Sequence, residues 1–249
     1  MAGMDEAVAE LGAEHGDLHA LLAALADDQW LLPTPAEGWD VRDQVSHLAD
    51  TNDICVDTIT GGPRPLNEEA LKFPTPEAFT QSGVDKGRAM TPAAVLDWWR
   101  TSAARNRDVL MQKDARDRVP WGLGMSAKMM ATARMMETWA HAGDVRGALG
   151  MEPSATPRLR GIAFLTLRAV PYALSYAKVE QPTGTLRAEL TYNGETWPIG
   201  PDDADNVITG DALEFCRLGI RRASRAQTST LKAQGALAEA ALDNLRAFL

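Results

Sequence analysis

The sequence predicts an α+β protein, with an N-terminal four-helix bundle followed by a smaller C-terminal α/β domain. Three observations carry that reading. Four long stretches before residue 150 hold their apolar residues at helical spacing. One extended, Pro- and Gly-rich connection, 61–91, separates them into pairs. After residue 158 a strictly alternating run with an Asn-Gly step replaces the helical period.

The first helix is expected over Ala7–Ala26, where Leu11, Leu18, Leu21, Leu22 and Leu25 share a face. Asp27-Asp28 and the Pro33, Pro35, Gly38 loop end it. Asp40 is the expected N-cap of a second helix running to Ile59, with Val41, Val45, Leu48 and Ala49 inward. A short helical piece is expected over Pro76–Met90, and Thr91-Pro92 opens a third long helix to Met111. The fourth runs from Ser126 to Leu149 and ends at Gly150 and Pro153. The domain boundary falls near 152–158, giving domains 1–153 and 154–249. In the second domain Gly161–Tyr176 reads as a helix and Gly184–Pro198 as a hairpin turning at Asn193-Gly194. Ala204–Thr209 reads as a third strand, and Asp211–Arg225 and Thr230–Phe248 as helices.

Composition bounds the function. The 249 residues carry 25 Lys+Arg against 34 Asp+Glu, a formal charge of −9, which argues against nucleic-acid backbone binding. No apolar run approaches the roughly 18 residues of a membrane span. Met1–Glu10 lacks the basic and apolar regions of a signal peptide. Cys55 and Cys216 form no CxxC pattern and suit a reducing cytoplasm. Neither has a base nearby in sequence, so no nucleophile is expected from them.

The chemistry concentrates in the few histidines. Glu137 and His141 lie one helical turn apart, on one face of the fourth helix. His47 falls among core-facing residues of the second. Should the two helices be neighbours, His47, Glu137 and His141 converge as two imidazoles and a carboxylate. That set leaves an open position on zinc or another divalent transition metal. Spacing alone leaves the metal reading open beside that of a hydrogen-bonded core histidine. Arg134 and Asp144 are candidates to orient these ligands, against the alternative of surface ion pairs, and Asp50 is a candidate to orient His47 or simply to face water. His15 and His19 share a helix face but flank Gly16-Asp17 and read as surface or partly buried groups. Met125, Met129 and Met136 read as core, as do Trp98, Trp99, Trp121 and Trp139 unless they wall a pocket. Arg217, Arg221, Arg222 and Arg225 form either a carboxylate-binding set or a solvated face.

The run Trp39-Asp40-Val41-Arg42-Asp43-Gln44-Val45-Ser46-His47-Leu48-Ala49 resembles the GWxVxDxxxHL segment of the DinB-like superfamily. It is closest to the branch of the mycothiol-dependent maleylpyruvate isomerases. Arg134 through Asp144 resembles that branch's RxxExxxHxxD segment. Gly210 through Arg217, with Arg221-Arg222, resembles the GxAxDFCRxxxxRR segment of an actinobacterial metal-binding group. The resemblance spans nearly the whole chain, departing from that group near Leu237–Leu249 in a way that touches packing. It implies a DinB-like bundle with His47, Glu137 and His141 as ligands of a divalent metal, zinc first. It also implies that the α/β domain closes over the metal side. Arg221 or Arg222 becomes the better candidate for a functional arginine. The implied activity is isomerisation of, or transfer to, a small electrophilic substrate by a mycothiol-type thiol. The alternatives are a thiol-independent lyase, hydrolase or cyclase, or a non-catalytic metal- or ligand-binding protein. Small molecules are the expected partners, with no nucleic acid and no membrane.

Overall fold

The computed structural model describes residues 3–247. The chain divides into two compact units, Met1–Ser154 and Ala155–Leu249.

The first unit is helical. Helix α1 spans Met4–Ala23, α2 Val41–Thr60, α3 Leu66–Glu69, α4 Pro76–Arg88, α5 Pro92–Met111 and α6 Ala127–Ala148. The bundle proper is α1, α2, α5 and α6, with α2 packed on α5 and α6, and α1 on both as well. The starts follow local chemistry. The Asp40 carboxylate accepts a hydrogen bond from the Asp43 amide, and the Asp43 carboxylate accepts one from the Asp40 amide. Thr91 caps α5 and Ser126 caps α6 by the same hydroxyl-to-amide geometry. Leu18, Leu22, Val41, Val45, Leu48, Val95 and Trp99 fill the core between them.

The long connection is pinned to α2. Helix α4 comes so close that a β-carbon at Gly87 would overlap the Ser46 side chain, and one at Gly83 would meet Asp50. Two strands the sequence did not reveal, β1 Arg118–Val119 and β2 Met125–Ser126, pair ahead of α6. At two residues each they are too short for alternation to register. Helix α1 begins before Ala7 and stops at Ala23, and residues Asp27–Leu31 form a 3-10 turn instead of a loop.

The second unit is α/β. Its elements are α7 Leu159–Arg168, α8 Val170–Tyr176, β3 Leu186–Tyr192, β4 Glu195–Ile199, β5 Asn206–Asp211, α9 Ala212–Gly219, β6 Lys232–Gln234 and α10 Ala236–Asn244. The sheet order is β4-β3-β5-β6, parallel between β3 and β5 and antiparallel elsewhere. The β3–β4 turn has Asn193 at φ 49° and Gly194 at φ 81°, the positive pair a two-residue hairpin of this hand requires.

Three helix expectations are corrected here. Gly161–Tyr176 is two helices, because Pro171 has no N–H to continue the ladder. Asp211–Arg225 ends as a helix at Gly219. There the Arg222 amide reaches back to the Arg217 carbonyl across Arg221, which takes a left-handed φ of 59°. Thr230–Phe248 opens with strand β6, and α10 starts only after Gly235. A three-residue edge strand carries no period of its own, and Phe248 lies outside the described residues. Among the described residues no helix is long and apolar enough to cross a membrane.

Candidate metal centre

Helix α2 presents His47 and helix α6 presents Glu137 and His141, all three toward one point. Each offers a ligand atom within 4.8 Å of the others. His141 Nε2 lies 3.5 Å and His47 Nε2 3.9 Å from the same Glu137 oxygen. Both separations exceed ordinary hydrogen-bond length. They approach the roughly 3.3–3.5 Å between two ligands that each sit about 2.0–2.1 Å from a tetrahedral ion. The imidazole centroids are 4.6 Å apart.

The protonation states also suit a cation. Burial pushes the His47 imidazole down to about 4, helped by His141 and Arg134 and opposed by Glu137, so it is neutral near pH 7. Burial works against charge on Glu137. The two imidazoles and Arg134 more than offset this and hold its carboxyl well below the usual range. Two imidazole nitrogens and a carboxylate oxygen are a donor set that fits zinc or a similar borderline ion.

Five surrounding residues shape the cluster. The Trp39 ring lies against both imidazoles, with centroids 5.3 Å from His47 and 6.2 Å, nearly parallel, from His141. His141 Nδ1 is 2.5 Å from Gln44 Oε1. Arg134 is buried and donates to Asn52 Oδ1 and to Thr51 Oγ1, the latter at 2.9 Å. Thr51 in turn donates to the His47 carbonyl at 2.8 Å. Arg134 thus reaches from the Glu137 helix to the turn that carries His47.

The other sequence candidates fall elsewhere. Asp50 does not orient His47 and does not face water. It is buried, and its carboxylate is taken by Arg64 at 2.9 Å and Lys86 at 2.7 Å, tying the long connection to α2. Asp144 Oδ2 is 3.9 Å from His141 Nδ1, whereas Gln44 Oε1 is 2.5 Å from the same nitrogen. Arg221 and Arg222 belong to the second unit, at the end of α9, where Arg222 Nη1 donates to the Ile220 carbonyl. Cys55 and Cys216 are buried thiols, and burial pushes Cys55 up to about 11, which leaves both unreactive. Of the methionines, Met130, Met135 and Met136 are the fully buried ones, while Met125 and Met129 are half-buried. Trp99 and Trp139 are core, the latter donating to the Ser154 carbonyl.

His15 lies deeper than the surface or partly buried position expected of it. It is buried, edge-on to Trp99, with Arg107 donating to its Nδ1 at 2.6 Å. Burial, then Arg107 and Arg134, pushes its imidazole down to about 3. His15 and His47 therefore stay neutral in the folded chain while both protonate in the unfolded one near 6.5. Their contribution to stability is complete above that value and lost as pH falls toward about 4 and then about 3. In metal-free protein, the urea midpoint followed by helical circular dichroism should fall from about pH 7 to about pH 4. His15→Gln should flatten that fall, and an equally steep profile in the variant would contradict the assignment.

A helical bundle with an internal two-histidine, one-glutamate cluster on adjacent helices is the class that fold and site define. The model of the mycothiol maleylpyruvate isomerase N-terminal domain family matches residues 11–146, and the chain belongs to that family. An uncharacterized protein of Mycobacterium tuberculosis, found in strains CDC 1551 / Oshkosh and ATCC 25618 / H37Rv, is 38% identical over 224 residues. The match covers 89% of this chain and 87% of the relative. The fold is that of the crystal structure of the mycothiol-dependent maleylpyruvate isomerase, with TM-score 0.63 and 17% identity over 94% of this chain and 93% of the other. A histidine-to-alanine mutant of that isomerase aligns at TM-score 0.62 and 16% identity, with the same coverage.

Proposed function

We propose that the chain is a metal-dependent enzyme that uses a low-molecular-weight thiol, of mycothiol type, on a small electrophilic substrate. The carrying observation is the convergence of His47, Glu137 and His141, whose ligand atoms all lie within 4.8 Å of one another. Three protein ligands leave a fourth position for a substrate atom, which is the arrangement of catalytic rather than structural sites. A divalent ion held there would supply Lewis acidity, lowering the pKa of a thiol or water at that position.

The chain's own residues prepare the site. Trp39 lies against both imidazole rings, stacked on His141 and tilted to His47, as an apolar wall beside the ligands. Arg134 adds a fixed positive charge one turn from Glu137, which favours an anionic sulfur over a neutral one nearby. The proposed reaction class is addition of the thiol sulfur to an activated carbon–carbon double bond of a small unsaturated acid. Bond rotation and loss of the thiol give isomerisation and regenerate the thiol. Release of the adduct gives transfer. Membership of the isomerase family supports the first outcome.

The test is turnover of unsaturated acids by zinc-loaded protein with mycothiol, beside a thiol-free control. Turnover only with thiol supports the reading. Equal turnover without thiol would replace it with a lyase, hydrolase or cyclase that activates water at the same site.

A further inference from the structure

His141 must keep a lone pair on Nε2 to serve the cluster, so its single proton has to stay on Nδ1. Left to the cluster alone, the opposite would hold. The Glu137 carboxylate lies 3.5 Å from Nε2, an acceptor on the side where the proton would block the lone pair. Something must hold the proton on the other side.

Gln44 is placed to do this. It is fully buried, and its Oε1 accepts from His141 Nδ1 at 2.5 Å. An amide can present oxygen or nitrogen, so its orientation needs fixing as well. Gln44 Nε2 donates to Thr34 Oγ1 at 2.8 Å, and Thr34 Oγ1 donates to the Trp39 carbonyl at 2.9 Å. A backbone carbonyl only accepts, so the Thr34 hydroxyl proton is committed to it. Thr34 must then accept from Gln44, which turns the Gln44 oxygen toward His141. The direction of the whole chain is set by one carbonyl.

We propose that Gln44, oriented by Thr34, is the positioning residue that holds His141 in the tautomer able to bind a metal. The relay is neutral throughout. The carboxylate that could have served instead, Asp144, is 3.9 Å from Nδ1. A neutral partner adds no negative charge to the cluster, so Glu137 remains the anionic ligand. The purpose of the relay rests on the metal reading above, whereas the tautomer does not.

The experiment reads the tautomer first. Long-range nitrogen–proton NMR of metal-free, full-length protein at about pH 8 distinguishes protonated from unprotonated imidazole nitrogens. Wild type should show Nδ1–H at His141. Gln44→Leu should move the proton to Nε2 and weaken zinc binding, measured by chelator competition, by roughly 10–100-fold. Gln44→Glu should retain the tautomer and most of the affinity. Thr34→Val, a mild change, should shift both readouts in the direction of Gln44→Leu but less. Asp144→Asn should leave the tautomer unchanged. An Nε2–H tautomer in wild type, or a proton that moves in Asp144→Asn and not in Gln44→Leu, would overturn the proposal. The expected tautomer in a wild type that binds no zinc would overturn the metal reading and leave the tautomer assignment standing.

Discussion

His141→Ala should abolish stoichiometric zinc binding while the chain stays folded. The variant removes one of two nitrogen donors, leaving Glu137 and His47 on different helices with no third ligand. Affinity should fall by more than the roughly 10–100-fold that loss of an outer partner costs. It also strands the buried Gln44 oxygen, which costs about 1–3 kcal/mol of stability. Folding should survive that loss, because His141 contributes no hydrophobic core. The readout is metal per chain by plasma mass spectrometry after zinc incubation and gel filtration, beside circular dichroism. Unchanged metal content in a folded His141→Ala protein would remove the site from the account.

Arg134→Ala should be the most destabilising single change near the site. Arg134 is buried and held by Asn52 and Thr51, and it acts electrostatically on Glu137. Truncation leaves the Asn52 oxygen without its cationic donor, a cavity in the bundle and an ionised Glu137 with less compensation. Breaking a buried charged network by removing one partner costs about 3–5 kcal/mol. For a chain of this size that lowers Tm by roughly 10 °C. Arg134→Lys keeps the charge but not the fork that meets Asn52 through two nitrogens, so it should recover part of the loss. A Tm within a degree or two of wild type in Arg134→Ala would show that the register of α2 against α6 is set by packing alone.

The sequence carried the helices better than the site's surroundings. The helix starts were legible because Asp40, Thr91 and Ser126 cap locally, and a cap is a property of four or five adjacent residues. Pairing of α2 with α6 was not local, yet the spacing of Glu137 and His141 on one face made a third ligand from another helix a natural expectation. What spacing could not reveal was which neighbour each imidazole takes. Asp144 lies one turn from His141 and has the right chemistry, but Gln44, from another helix, arrives closer. The available signal was that Gln44 is three residues before His47 and shares its face of α2. Asp50 misled for the same reason: its partners Arg64 and Lys86 come from a connection whose path depends on the close α4–α2 approach at Gly83 and Gly87. Trp39 was legible as part of a motif, but its role against both imidazoles required the loop before α2 to fold back. In the second unit, strand β6 was missed because edge pairing with β5 supplies what its three residues do not encode.

The central expectation is that His47, Glu137 and His141 hold one divalent ion together. Anomalous diffraction at the zinc edge, from crystals of the full chain grown with zinc, tests this directly. A single strong peak is expected about 2.0–2.2 Å from His47 Nε2, His141 Nε2 and a Glu137 oxygen. No peak between α2 and α6, or one bound by other residues while these three stay unligated, would contradict it.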